Sequence, residues 1–284
     1  IILPLAPLTA MEGRPLETVL GYDFLRRYRV EIDYAAGRLR LFSPSIDAVP
    51  SGAGELPVEF VQNTPRVKGK VEIEGIGTRD VTMMLDTGAT TAATFTSRAV
   101  GEMGLNEKFK HAPELVLGGG VGGQTTGRRV RIASLELGGA RLERPVANLD
   151  ATAGGATGRQ ASYDVLVGGE TLRRFTVTLD YARKRIFFKP NSAFAEPFVG
   201  DKTGLMLAMN VQGAFVVKQI VPGSPAAEAG IEPGTVVLSV EGRQLPSLEV
   251  VRRVFRAAKG DLRLKIRQGG AEREVVLKTR ELVP

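Results

Sequence analysis

Cysteine and tryptophan are absent from these 284 residues, and histidine occurs once. Without cysteine there is no disulfide framework and no thiolate zinc site, although the cellular compartment stays open. The lone histidine, His111, has no partner at zinc-ligand spacing, and no H-E-x-x-H occurs. A Ser-His-Asp triad would have to rest on this one residue beside a loop proline, so His111 is expected at the surface. Long apolar runs are missing too. The most apolar stretch near the start, Ile1 to Leu8, is broken by Pro4 and Pro7, and no membrane-spanning segment is expected. Aromatics are sparse, and the net charge of +7 is spread: 12 Lys/Arg face 8 Asp/Glu from Gly204 onward, and 26 face 23 before it. With no basic stripe and few rings to stack on bases, nucleic acid is not an expected partner. No cofactor or metal is expected. Neither an initiator Met nor a charged segment precedes an apolar run, so the chain is expected to be processed or trimmed, with any signal peptide out of view.

What is abundant is glycine and proline, 34 and 16 residues, in a chain that is 43% hydrophobic. Many turns imply short strands, and the length implies two or three domains. The expected class is mainly β.

The most informative stretch is Val81 to Ala89, an apolar strand running into Asp86-Thr87-Gly88-Ala89. A carboxylate at the end of a buried strand is desolvated, and Thr87 and Gly88 can offer it a hydroxyl and a close backbone N–H. Two such carboxylates placed together must share a proton, which fits one to act as base and the other as acid. Asp86 is therefore read as half of a catalytic pair.

An internal repeat accompanies it. The segment from Gly21 to Tyr34 matches that from Gly168 to Tyr181 at Gly, Leu-Arg-Arg, Val and Asp-Tyr, with the constant offset of 147 residues that separates Gly21 from Gly168. That period suits a duplicated domain. It puts the first copy's counterpart of Asp86 about sixty residues before Ile1, so residues 1–50 are expected to be the second half of a first lobe and 55–190 a complete second lobe.

Gly118-Gly119-Gly120-Val121-Gly122-Gly123 satisfies G-x-G-x-x-G, but an alternating segment, Thr126 to Ile132, comes after it. No helix N-terminus is then present to receive a pyrophosphate. A mobile hairpin tip is the better reading, with Gly119, Gly120, Val121, Gly122 and Gly123 as candidates to cover a substrate.

After a linker at 191–203 the pattern changes. Four strand signals alternate with two helices, one opened by Ser224-Pro225 and closed by Gly230, the other running from Ser247 to Ala258 with apolar and arginine faces.

Val81 to Ala89, together with the later Val165-Leu166-Val167-Gly168, resembles the retropepsin-like aspartic proteases of bacteria. Gly223 to Gly234 followed by Val237 to Gly242 resembles the bacterial PDZ domain, over residues 203–284. These resemblances imply an acid-protease β-barrel lobe, preceded by half of another and followed by a PDZ-like α+β domain. They imply Asp86 as the catalytic carboxylate, Thr87 as a brace between paired turns and Gly88 as a hydrogen-bond donor. The second Asp would come from the upstream lobe or from a dimer partner. The PDZ resemblance implies that Gly204, Leu205, Met206, Leu207 and Val251 line a groove for a C-terminal or extended peptide. The expected function is an aspartic endopeptidase acting on protein or peptide substrates, with the PDZ-like domain recruiting or gating them. The alternative is a non-catalytic peptide-binding scaffold. By analogy the location would be periplasmic or otherwise extracytoplasmic.

Overall fold

The computed structural model describes residues 17–120 and 123–283, together with Thr9. The expectations about Ile1 to Leu8, Val121 and Gly122 lie outside the described residues. The chain divides into two compact units, one formed by Val19–Ala112 and Gly127–Phe198, the other holding Pro113–Thr126 and the residues from Val199 onward.

In chain order, the first unit opens with helix α1 (Tyr22–Leu25) and strands β1 (Arg29–Asp33) and β2 (Arg38–Phe42). Strands β3 (Gly54–Pro57), β4 (Glu59–Val61), β5 (Thr64–Ile73), β6 (Gly77–Leu85) and β7 (Ala93–Phe95) come next, then α2 (Ser97–Glu102) and α3 (Leu105–Lys108). Strands β8 (Glu114–Gly120), which falls in the other unit, and β9 (Gly123–Arg131), which begins there, precede β10 (Ser134–Leu137), β11 (Ala140–Glu143), β12 (Val146–Asp150) and β13 (Val165–Val167). Helix α4 (Gly169–Leu172), β14 (Phe175–Asp180) and β15 (Arg185–Pro190) complete this part.

The strands form a ten-stranded sheet in the order β11-β10-β5-β6-β13-β7-β12-β9-β8, with β4 alongside β5, and a five-stranded sheet in the order β2-β1-β14-β15-β3. Alternation explains the core. Met83, Leu85, Ala93, Phe95, Ala147, Leu149, Val165 and Val167 point to one face of the large sheet and are buried in a single cluster. Helix α2 starts where it does because Thr96, extended at ψ 152°, accepts the Ala99 N–H on its hydroxyl.

The five-stranded sheet carries the repeat. Strands β1 and β14 pair antiparallel, Val30 with Leu179, Glu31 with Thr178 and Ile32 with Val177. Under the 147-residue offset, Val30 corresponds to Val177 and Ile32 to Leu179, so the register is its own image about the Glu31–Thr178 pair. A local two-fold axis therefore passes through that pair. The equivalent turns agree as well, with Gly37 and Lys184 at φ 61° and 53°.

The second unit contains β16 (Leu205–Met209), β17 (Phe215–Ile220), α5 (Pro225–Glu228), β18 (Val236–Val240), α6 (Leu248–Ala257), β19 (Gly260–Gln268) and β20 (Ala271–Thr279). Its sheet runs in numerical order, which leaves β16 at an edge. Ser224 and Ser247 cap α5 and α6 through the N–H groups of Ala227 and Val250. Among the described residues no helix is long and apolar enough to cross a membrane.

Candidate active site and peptide groove

Asp86 sits where β6 ends, half-buried, beside exposed Thr87 and Gly88. Strand β13 runs parallel to β6, Val165 against Met83 and Val167 against Leu85, and the Asp86 N–H donates to the Val167 carbonyl at 3.0 Å. The turn folds back so that the Gly88 N–H donates to Asp86 Oδ1 at 2.9 Å. A carboxylate oxygen is thus fixed by a backbone donor two residues on.

A second layer holds the turn from behind. Gly169 N donates to the Ala89 carbonyl at 2.6 Å, Glu170 N to Thr91 O at 3.2 Å and Gly168 N to Ala92 O at 3.2 Å. The buried Thr171 hydroxyl adds a bond to Ala92 O at 3.0 Å. Glycine is required at 168 because a Cβ there would run into the Thr91 carbonyl oxygen and crowd Ala89. Asp164 closes the other side, accepting Thr82 N at 2.7 Å and Arg98 Nη2 at 2.8 Å.

The face of the sheet opposite the core holds a smaller cluster of Met84, Tyr163 and Leu166, with Ala89 and Ala161 packed against it. Burial lifts the Tyr163 hydroxyl to about 12. The Arg66 guanidinium pulls the other way, and the charges of Asp86 and then Asp150 add to the rise. Tyr34, from the first copy of the repeat, is pushed up to about 12 by burial and then by the charge of Asp86. Arg66, Tyr34 and Tyr163 escaped the sequence reading, since no motif marks them. Only strand parity, which puts Arg66 opposite Met84 on the side of Asp86, could have signalled one of them.

His111 is exposed. The glycine-rich stretch forms the end of β8, at Gly119 and Gly120, and the start of β9 at Gly123. The chain continues from there as strand, with no helix N-terminus at that point. On the edge strand β8, the Val116 N–H donates to Gln219 Oε1 of β17 at 2.9 Å. Gln219 itself lies opposite Met206.

In the second unit Leu205, Leu207 and Val251 are packed inside the core, and Met206, half-buried, takes the other parity. Gly204, at φ 80°, cannot carry a side chain because a Cβ would collide with Ser224 Oγ. The loop before β16 already has acceptors of its own. Asp201 accepts the N–H groups of Thr203 at 2.9 Å and Gly204 at 3.1 Å, and the Thr203 hydroxyl accepts the Leu205 N–H at 3.2 Å. Arg252 Nη2 reaches the Leu207 carbonyl at 3.4 Å.

Comparison with known proteins finds similarity in two stretches. Residues 69–171 match the family described as aspartyl protease, and residues 216–268 match the PDZ domain. The chain is 42% identical over 86 residues to a probable periplasmic serine endoprotease DegP-like from Chlamydia muridarum, a match covering 30% of this chain and 17% of that protein. It thus spans less than a fifth of the length of the curated relatives it matches. Among solved structures, a retropepsin-like aspartic protease from Rickettsia conorii aligns at 14% identity and TM-score 0.32, covering 47% of this chain and 98% of that one. The HtrA3 PDZ domain bound to a phage-derived ligand aligns at 18% identity and TM-score 0.27, covering 29% of this chain and 86% of that one. Residues 69–171 are thus similar to aspartyl proteases and residues 216–268 to PDZ domains.

Proposed function

We propose that this protein is an aspartic endopeptidase whose second catalytic carboxylate comes from an upstream lobe of the same polypeptide. The observation that supports the reading is the two-fold register through Glu31 and Thr178, the relation expected of two paired lobes. Residues 1–50 are then the second half of that lobe and 55–190 the complete one. Apolar exposure supports this. Leu39 and Leu41 are 53% and 43% exposed, while their counterparts Ile186 and Phe188 are fully buried. Tyr28 and Leu20 likewise stand partly exposed against buried Phe175 and Val167. Such a row is covered when the other half of the lobe packs on it.

In this reading Asp86 and its partner share one proton, and the exposed Thr87 and Gly88 meet the matching turn. The ionised carboxylate takes a proton from water as the water oxygen bonds to the scissile carbonyl carbon. The protonated one gives its proton to the carbonyl oxygen. Collapse breaks the C–N bond as a proton passes to the leaving nitrogen. Gly119, Gly120 and Gly123 are the described candidates to cover substrate.

A serine mechanism, suggested by the names of the curated relatives, finds no support in this chain: its only histidine is exposed, and the match covers 86 residues. The same names support an extracytoplasmic location. The PDZ domain takes an extended peptide by strand addition along β16. Because Asp201 and Thr203 already accept the amides of Thr203, Gly204 and Leu205, an internal segment fits there better than a free C-terminus.

The test is digestion of a mixed peptide library by the full-length protein between about pH 3 and pH 8, beside Asp86→Asn. Cuts that vanish in the variant support the reading. A library left intact by both proteins turns attention to peptide binding without hydrolysis.

A further inference from the structure

Arg66 is a buried cation without an acid. It is 7% exposed, its Nε and Nη1 have no hydrogen-bond partner, and Nη2 has only the Ser162 hydroxyl at 3.4 Å. No carboxylate pairs with it among the described residues, although both other buried arginines there are paired with acids. Arg29 meets Asp180, and Arg174 meets Glu170 together with three carbonyls. A guanidinium removed from water without a counter-charge is a standing cost, and burial draws its proton affinity down from the ordinary value. The cation is partly compensated by the Tyr163 ring, 4.5 Å from the guanidinium carbon.

Its position explains what the cost could serve. Directly opposed residues in neighbouring strands share a face. Arg66 lies opposite Met84, and Met84 opposite Leu166. Met84 and Asp86 are two residues apart and so take the same side of β6. Arg66, Met84, Leu166 and Asp86 therefore project from the face opposite the core, where Tyr163 and Ala89 complete a small apolar patch next to the candidate carboxylate. Lys68, two residues along β5, adds a second cation on that side. The nearby Asp164 is already occupied by Thr82 N and Arg98.

We propose that Arg66 determines specificity at a subsite beside Asp86 that takes an acidic side chain flanking the scissile bond. This rests on the endopeptidase reading. The substrate's aliphatic stem lies on Met84, Leu166 and Tyr163, and its carboxylate displaces the Ser162 hydroxyl to reach the Nη1–Nη2 edge, which presents two parallel donors. Replacing the carboxylate by an amide loses the charge and leaves the buried cation unmatched again.

The experiment compares paired peptides with Glu or Gln, and Asp or Asn, at each position next to a mapped cleavage site. Full-length wild type is tested beside Arg66→Gln and Arg66→Lys, and thermal unfolding confirms that each folds. The expected result is a kcat/KM about tenfold higher for the acidic peptide, carried mainly by KM. Arg66→Gln brings the ratio to about one, and Arg66→Lys retains part of it. A wild-type ratio near one, or a ratio that survives Arg66→Gln, overturns the proposal. The first outcome would assign the counter-charge to the protein itself. In parallel, binding of the same peptides to Asp86→Asn is measured by fluorescence anisotropy. Discrimination between Glu and Gln there, absent in Asp86→Asn/Arg66→Gln, upholds the subsite even if no hydrolysis is ever detected, and equal binding refutes it.

Discussion

The strand-end turn at Asp86 was legible because what marks it is local: an apolar strand, a carboxylate and a Thr-Gly turn in sequence order. The support behind it is not local. Gly168 is one of 34 glycines, and its necessity appears only when the Thr91 carbonyl is found where a Cβ would go. Gly168→Ala is expected to destabilise the protein by about 1–3 kcal/mol, the usual range for overpacking, read as a lower urea midpoint at unchanged slope. An unaltered midpoint would mean that the turn and α4 are free to move apart. Arg66 shows the opposite case. Nothing in Thr-Pro-Arg-Val distinguishes a solvated arginine from a buried one, since its lack of an acid is a property of the folded neighbourhood.

At the scale of elements, alternation and turn chemistry located most strands, the capping Ser224 located α5, and the apolar and arginine faces located α6. The glycine-rich stretch was resolved by its C-terminal neighbour, since β9 is a strand and a pyrophosphate needs a helix start. The bond from Val116 to Gln219 could not be read, because it joins residues 103 positions apart through one side chain. It ties β8 to the strand next to β16. Gln219→Ala is expected to speed hydrogen exchange at the Val116 amide by roughly five- to tenfold, as the loss of about 1 kcal/mol of hydrogen bonding implies. Exchange at the core amide of Ile266 should stay unchanged. Equal exchange at Val116 in both proteins would show that the bond is not maintained in solution.

At the scale of the molecule, the repeat suggested a duplicated plan, and the register of β1 on β14 is symmetric about the Glu31–Thr178 pair. What the sequence could not supply is the contrast between the two copies, in which Leu39 and Leu41 are exposed and Ile186 and Phe188 buried. If an upstream half-lobe covers that row, Leu39→Ala in the full-length protein should cost about 2–4 kcal/mol, the range for a buried leucine. If the row stays exposed, the change should fall within about 0.5 kcal/mol. Chemical denaturation distinguishes the two.

The most direct measurement mixes wild-type full-length protein with Asp86→Asn at constant total concentration, after incubation long enough for subunits to exchange, and tracks peptide cleavage against the wild-type fraction. With both carboxylates in one polypeptide, activity should fall linearly to zero. A curve that tracks the square of the wild-type fraction would move the second carboxylate to a partner chain, and a rate indifferent to the mixture would remove Asp86 from the chemistry.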